Sequence, residues 1–362
     1  MPPVTAFLTT DFSPHLRPLQ PGGCAWYRQF LPMRELVSAG WQTGMGIPDW
    51  QLGRGFGMLI DDQRAAYGWD VVVLKLLMSR ETPHHVRQAR KAGQVVVVDV
   101  DDHYAGLTPD NQAHAVTSPD VNPERNRDHY ERVIDAADVV VTSTPFLRDW
   151  YAERHPDVRM VRNGIDLARW HRRKDTAGDR PTLGWVGGIP WRSADLETLR
   201  PWLPGFVADH GLRVHHSGHL PDRGDPFHVK SGLPASVMST HPMRAILEYP
   251  TLFDGFQIGL VPLTDIPFNH AKSTIKGLEY AAAGIPFVAA ATPEYVRLAE
   301  LGVGRVAASP DEWVKHLTDL LDPRVRRREA SRNRAAVSHA HTMRERGQEW
   351  ADLLRDVTTA GR

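Results

Sequence analysis

Three valine-rich runs limit what this chain can fold into. Residues 70–77 read DVVVLKLL, 95–102 read VVVVDVDD and 139–143 read VVVTS. Each is short, apolar without alternation and β-branched, the pattern of a strand buried on both faces. Helix signals fall between them. Thr82–Pro83 opens one helix in cap-then-proline order and Gly93 ends it. A second runs from about Glu124 to Ala137, and Thr144–Pro145 opens a third. Strands and helices that alternate in this way predict a parallel sheet covered on both faces.

The same rhythm extends in both directions. Val4–Thr10 reads as a first strand, followed by a proline- and glycine-rich loop ending at Gly22–Gly23. A helix is expected from about Trp26 to Gly40, with Pro32 tolerable near its first turns. A strand, a glycine loop and a helix let backbone approach a phosphate or sugar closely, and Arg28 on the first turn adds a cation. Residues 48–57 and 103–123 read as loops, the second long enough to suggest function. After Trp170 the polar stretch HRRKDTAGDRP reads as a linker. A second alternation follows. TLGWVGG (182–188), VHHSG (214–218), FQIGLVPL (256–263), PFVAAA (286–291) and GRVAAS (304–309) are strands or strand ends, residues 219–235 are irregular, and 310–358 are largely helical. The expected organisation is an N-terminal α/β domain over 1–170, a second over 171–324, and C-terminal helices over 325–362.

Bulk composition excludes some classes of function. Lys+Arg and Asp+Glu are both 43. Such neutrality argues against a protein whose main task is to hold duplex DNA through its phosphates. A single cysteine, Cys24, excludes internal disulfides and suits a reducing cytoplasm; it reads first as a small buried apolar group. No run approaches the length needed to span a bilayer, and the N-terminus lacks signal-peptide character. Of the eleven tryptophans, Trp26, Trp50, Trp185 and Trp191 flank loops where a ring could face a sugar or base.

The stretch Asn269–Pro286, NHAKSTIKGLEYAAAGIP, carries the strongest chemical signal. Ser273 is placed to cap a helix that Gly284 and Pro286 end. Lys272, Lys276 and Glu279 then share one face, opposite Ile275, Leu278, Ala282 and Ala283. Lysines at a helix start favour a phosphate, and a glutamate two turns on can accept from a diol.

With NGID at 163–166, WVGG at 185–188 and KSTIKGLEYAAAGIPFVAA at 272–290, the second half resembles nucleotide-sugar-dependent glycosyltransferases of the GT-B fold, of the family 4-like, phage and bacterial kind. The resemblance implies two facing Rossmann-like domains, with the donor nucleotide on the second, the acceptor on the first, and the helices over 325–362 crossing back to the first. It implies that Glu279 grips the ribose hydroxyls, that Lys272, Ser273 and Thr274 receive the diphosphate, and that Arg192, after the donor-binding Gly187–Gly188, neutralises it. Many retaining members carry a second glutamate eight positions earlier; here that position is Ala271, which leaves donor sugar and stereochemical outcome open.

The proton chemistry points to the other domain. Asp99, Asp101, Asp102 and His103 end a first-domain strand, where ligands of open α/β sheets bind. Asp101 or Asp102, with His103 in competition, is the expected base or acceptor-binding group. Gly22, Gly23 and Arg28 are the expected acceptor or phosphate loop. Asp99-x-Asp101 also has the spacing of a carboxylate pair for a divalent metal, a reading the position of the phosphate features disfavours; no cofactor beyond the donor is expected. His215, His216, His219 and His228 match no zinc pattern. Other readings are a transferase acting on hydroxylated DNA bases, supported by Arg54, Arg80, Arg87, Arg90 and Lys91, a sugar-nucleotide epimerase, and a non-catalytic sugar-nucleotide-binding protein.

Overall fold

The computed structural model describes the chain except residues 14–19, 49–67, 176, 179, 221–224 and 361–362. The predicted loop 48–57, with Trp50 and Arg54, lies almost wholly outside the described residues, as does part of the loop before Gly22.

Each valine run forms a central strand. In the first domain β1 (Thr5–Thr9), β4 (Thr43–Gly46), β5 (Val71–Lys75), β6 (Val95–Val100), β7 (Val139–Thr142) and β8 (Val158–Met160) form one sheet in the order β4-β1-β5-β6-β7-β8. Every pairing in it is parallel. β2 (Phe12–Ser13) and β3 (Gln20–Pro21) form a small antiparallel pair beside it. The second domain has β9 (Thr182–Val186), β10 (Arg213–His219), β11 (Met238–Pro242), β12 (Ile258–Val261), β13 (Phe287–Ala290) and β14 (Arg305–Ala307), in the order β11-β10-β9-β12-β13-β14. This sheet is also parallel throughout. Strand order reverses at β1/β5 in one sheet and at β9/β12 in the other, and such switch points open a crevice at the carboxyl ends of the strands.

Local expectations change in places. The irregular stretch 219–235 holds a short helix at Phe227–Ser231, the loop 103–123 holds another at Gln112–Thr117, and no element was expected where β11 lies. It is an edge strand with no fully buried residue, so it carries no apolar signature. The first helix starts earlier, at Gly23, and reaches Ser38 with Pro32 well inside it. A π turn over Trp26–Phe30 accommodates that proline. Proline lacks an N–H and its ring crowds the carbonyl four residues back, and the widened turn shifts bonding at this point, with Leu31 N donating to Trp26 O.

The same helix joins the domains. Trp26, Tyr27 and Leu31 are buried in one cluster with Phe253, Leu278 and Tyr280 of the second domain. At the other end of the chain, the helix Pro323–Ala340 packs on the second domain through Val337, while Met343–Ala360 packs on the first through Trp350, Leu354 and Val357. The crossing falls at His341–Thr342, where Ile165 N donates to His341 O and Met343 N to Ile165 O, both at 2.9 Å.

Candidate active site at the domain seam

The first-domain wall is a charge network at the ends of β1, β5 and β6. Lys75 is fully buried at the end of an apolar strand. A buried ammonium needs partners, and Lys75 has two: Asp101, with which it is hydrogen-bonded, and Asp99 at 3.7 Å. Arg28 is 1% exposed. Its Nε donates to both oxygens of Asp99 at 3.1 Å, and its Nη1 donates to Val161 O and Asn163 Oδ1. Burial would raise Asp101, but Lys75, joined by Arg28 and a hydrogen bond from Cys24, outweighs it and holds the carboxyl below its ordinary value. Leu76, the next residue after Lys75, holds a φ of 54°, a left-handed conformation that a side-chain-bearing residue adopts only under constraint.

The second-domain wall is built at the ends of β9 and β12. Asp195 is buried, and its Oδ1 accepts from Thr264 N at 2.9 Å and from Asn269 Nδ2 at 2.7 Å. Arg192 stands 3.7 Å from Asp195, too far for a hydrogen bond. Arg192 Nη1, Thr264 Oγ1 and Asn269 Oδ1 are buried without hydrogen-bond partners. Buried polar atoms are almost always satisfied, so three orphans at one switch point mark a place for polar ligand atoms. The backbone before Arg192 is pinned by His216, whose Nε2–H donates to Gly187 O at 3.0 Å. Trp185 and Phe227 flank that imidazole, a packing role for a residue weighed for zinc.

The two walls meet at Lys272. Its Nζ lies 3.1 Å from Asp102 Oδ1, across the seam, and 3.9 Å from the centre of the Phe268 ring. Burial and the nearby Arg192 push Lys272 below its ordinary value, against the pull of Asp102. Asn163 Nδ2 of the NGID turn donates to Ser273 Oγ at 2.7 Å, and Thr144 Oγ1 to Ala271 O at 2.9 Å. The seam is therefore stitched by the same stretch that the sequence singled out.

That stretch differs from expectation in one respect. The helix spans Ile275–Ala283 with Thr274 as N-cap and Gly284 left-handed at φ 76°. Ser273 therefore does not cap it, since its hydroxyl is engaged by Asn163. Lys272 precedes the helix, so it does not share a helical face with Lys276 and Glu279; it points to Asp102 instead. Lys276 Nζ donates to Glu279 Oε2 at 2.6 Å. Glu279 is 2% exposed, and Tyr249 OH and Tyr27 OH complete its shell at 3.2 and 2.7 Å.

Arg28 also departs from expectation. Its donors are spent inside the first domain, so it is a piece of the core and not a ligand group. The loop at Gly22–Gly23 faces Asp11. Asp11 Oδ2 accepts from Ala25 N at 2.7 Å, and a Cβ on Gly22 would lie 1.8 Å from Asp11 Oδ1. A carboxylate of the chain thus holds the helix start where an anionic ligand was expected. His103 is 3% exposed, with Phe146 and Trp150 against its ring and Nδ1 unpartnered. Burial and Arg127 lower its basicity. The carboxylate pair Asp99-x-Asp101 is divided between Arg28 and Lys75, which argues against a cation between them. Another trio, Cys24, Asp101 and Asp102, places its donor atoms within 4.8 Å of one another, but Lys75 and Lys272 already neutralise its carboxylates.

Lys75, Asp11, Tyr27, Tyr249 and Asp195 were not foreseen as part of this site. Only Lys75 left a signal, as a lone charge in a buried-strand run.

Two facing parallel-sheet domains, with the cations Arg192 and Lys272 on one and a carboxylate cluster on the other, have the architecture of the GT-B fold. Residues 200–352, in the second domain and the C-terminal helices, match the family model described as Glycosyl transferase-like. Among solved structures, Anabaena HepE in complex with UDP is 14% identical with a TM-score of 0.64, covering 98% of this chain and 100% of that chain. The same protein with UDP-glucose gives 14% and 0.63, covering 97% and 99%. WaaG, a glycosyltransferase involved in lipopolysaccharide biosynthesis, is 15% identical with a TM-score of 0.62, covering 97% and 99%. No curated protein sequence matches the chain. Among the described residues, no helix is long and apolar enough to cross a membrane.

Proposed function

We propose that the chain transfers a sugar from a nucleoside-diphosphate sugar on the second domain to an acceptor hydroxyl on the first. A uridine diphosphate sugar is the donor to test first, because HepE was solved with UDP and with UDP-glucose. Arg192 and Lys272 take the diphosphate, assisted by the Gly187–Gly188 backbone and by Ser273 and Thr274 at the helix start. Preorganised cations stabilise the leaving group without a metal, so none is part of this reading. Glu279 takes the ribose diol, and Tyr27 or Tyr249 gives way to it.

The observation that carries the proposal is the 3.1 Å approach of Lys272 Nζ to Asp102 Oδ1. A cation suited to the leaving group and a carboxylate of the acceptor side meet at one point. Asp102 is the group proposed to orient the acceptor hydroxyl and take its proton. Asp101, held ionised by Lys75, is a weaker base and serves to position. His103 backs the same strand end. The single thiol is in keeping with work in the cytoplasm. The structure offers DNA little support as acceptor. Arg90 pairs with Asp138 and donates to Ala136 O, and Arg90 and Lys91 end a helix (Thr82–Lys91) that leads into the start of β6, away from the carboxyl ends of the strands.

The test is thermal denaturation against a panel of nucleoside diphosphates and their sugars, with and without Mn²⁺. A ligand at 100 times its dissociation constant stabilises the fold by about 2.7 kcal/mol. At least one nucleoside diphosphate is expected to raise the melting point without metal. A panel without any shift contradicts the proposal.

A further inference from the structure

A second cationic cavity lies away from the seam. Its volume is 570 Å³, and three elements line it: β14, the helix Pro310–Leu321 and the helix Pro323–Ala340. Arg305 opens β14, so the cavity sits toward the start of that strand, at the opposite end of the sheet from the donor crevice. Arg305 is tied to Glu329 and Asp319, with contacts of 2.8 Å to each, which fixes the floor. The rim is different. Lys315, Arg328 and Arg332 line the opening, and among the described residues none of them has an ion-pair partner. His316 adds a buried Nδ1 without a hydrogen-bond partner.

The spacing of these cations argues against an ordinary solvated face. Arg324, Arg328 and Arg332 fall at i, i+4 and i+8 and all are exposed. Like charges at this spacing destabilise a helix, and solvated helix faces usually interleave opposite signs. Here the acid nearest the stripe, Glu329, turns inward to Arg305. Two acids and four permanent cations line the cavity, leaving it a net charge of +2. Guanidinium forks suit phosphate oxygens, and the cavity is concave and of ligand size.

We propose that this cavity binds the phosphate groups of a multiply phosphorylated compound. Arg328 and Arg332 engage the phosphates, Lys315 adds charge from the facing helix, and the bound Arg305 shapes the floor. The site does not depend on the donor reading above, because it shares no residue with it.

Titration of the full chain with inorganic pyrophosphate tests the proposal, with R328E/R332E and Lys272→Met as the two variants. Both substituted arginines are exposed, and an unchanged melting point checks that the double variant folds. Wild type is expected to show a binding component that R328E/R332E weakens at least tenfold and Lys272→Met leaves in place. Co-sedimentation with phosphatidylglycerol and phosphatidylcholine vesicles separates the sources. Loss of phosphatidylglycerol binding in R328E/R332E, without a pyrophosphate component, assigns the phosphates to lipid headgroups; a pyrophosphate component without vesicle binding assigns them to a soluble compound. If R328E/R332E matches wild type in both assays, the proposal is overturned.

Discussion

Tyr27 OH donates to Glu279 Oε1 at 2.7 Å, joining residues 252 positions apart and on different domains. Burial and the adjacent carboxylate raise the Tyr27 hydroxyl well above its ordinary value, so it remains a donor across the whole working range. If Glu279 receives the ribose, this bond competes with the donor. Tyr27→Phe is expected to lower stability by about 1.5–3 kcal/mol, the usual contribution of a hydrogen bond to a charged partner, and to tighten nucleoside-diphosphate binding. Urea denaturation and calorimetry check the two effects. Weaker binding in the variant would place Tyr27 among the donor's ligands instead.

Asp102 and Lys272 give a kinetic prediction. Asp102→Asn keeps the shape of the side chain and removes the proposed base. The turnover number is expected to fall by roughly 10²–10⁴, the range for a positioned acid or base. Affinity for the nucleoside diphosphate should hold or improve, because Lys272 loses its competing carboxylate. Equal losses in turnover and in donor affinity would assign Asp102 to donor binding.

Lys75 carries a stability prediction. Its removal leaves the half-buried Asp101 and the buried Asp99 with only Arg28 as cation. Lys75→Met is expected to cost about 3–5 kcal/mol, as for other broken buried pairs, read from the urea midpoint. Asp101→Asn in the same chain should recover part of the loss. A silent Lys75→Met would mean that the carboxylates are neutralised some other way.

His216 sets an acid limit. An unfolded imidazole titrates near 6.5, and burial brings the folded one to about 4. The folded state thus prefers the neutral ring. Its contribution is complete above pH 6.5 and is lost as pH falls from 6.5 toward 4, by at most about 3 kcal/mol. The cost is a charge on a buried ring between Trp185 and Phe227, since protonation at Nδ1 keeps the bond to Gly187 O. His216→Gln should show a smaller drop in urea midpoint between pH 7 and pH 4.5 than wild type; an equal drop would assign the acid sensitivity elsewhere, for instance to His341, also lowered to about 4.

Much of the fold was legible because parallel strands buried on two faces have to be apolar throughout, as Val71–Lys75 and Val95–Val100 are. β11 was not legible, because an edge strand with half-exposed residues has no such requirement. Glu279 and Lys272 stood out through the stretch they share, but their partners did not. Tyr27 and Asp102 reach them from the other domain, and no local spacing records a contact of that range. Arg28 was legible as a cation beside a glycine loop, yet burial decides that it belongs to Asp99. Lys75 was the one unread signal, since a lysine within an apolar strand announces a buried acid.

The donor site at Lys272 and Glu279 is the central claim, and calorimetry with UDP and with uridine tests it most directly. The account predicts that Glu279→Gln weakens both ligands at least tenfold, whereas Lys272→Met weakens UDP alone. If both variants bind UDP as wild type does, the nucleotide lies elsewhere and the account fails.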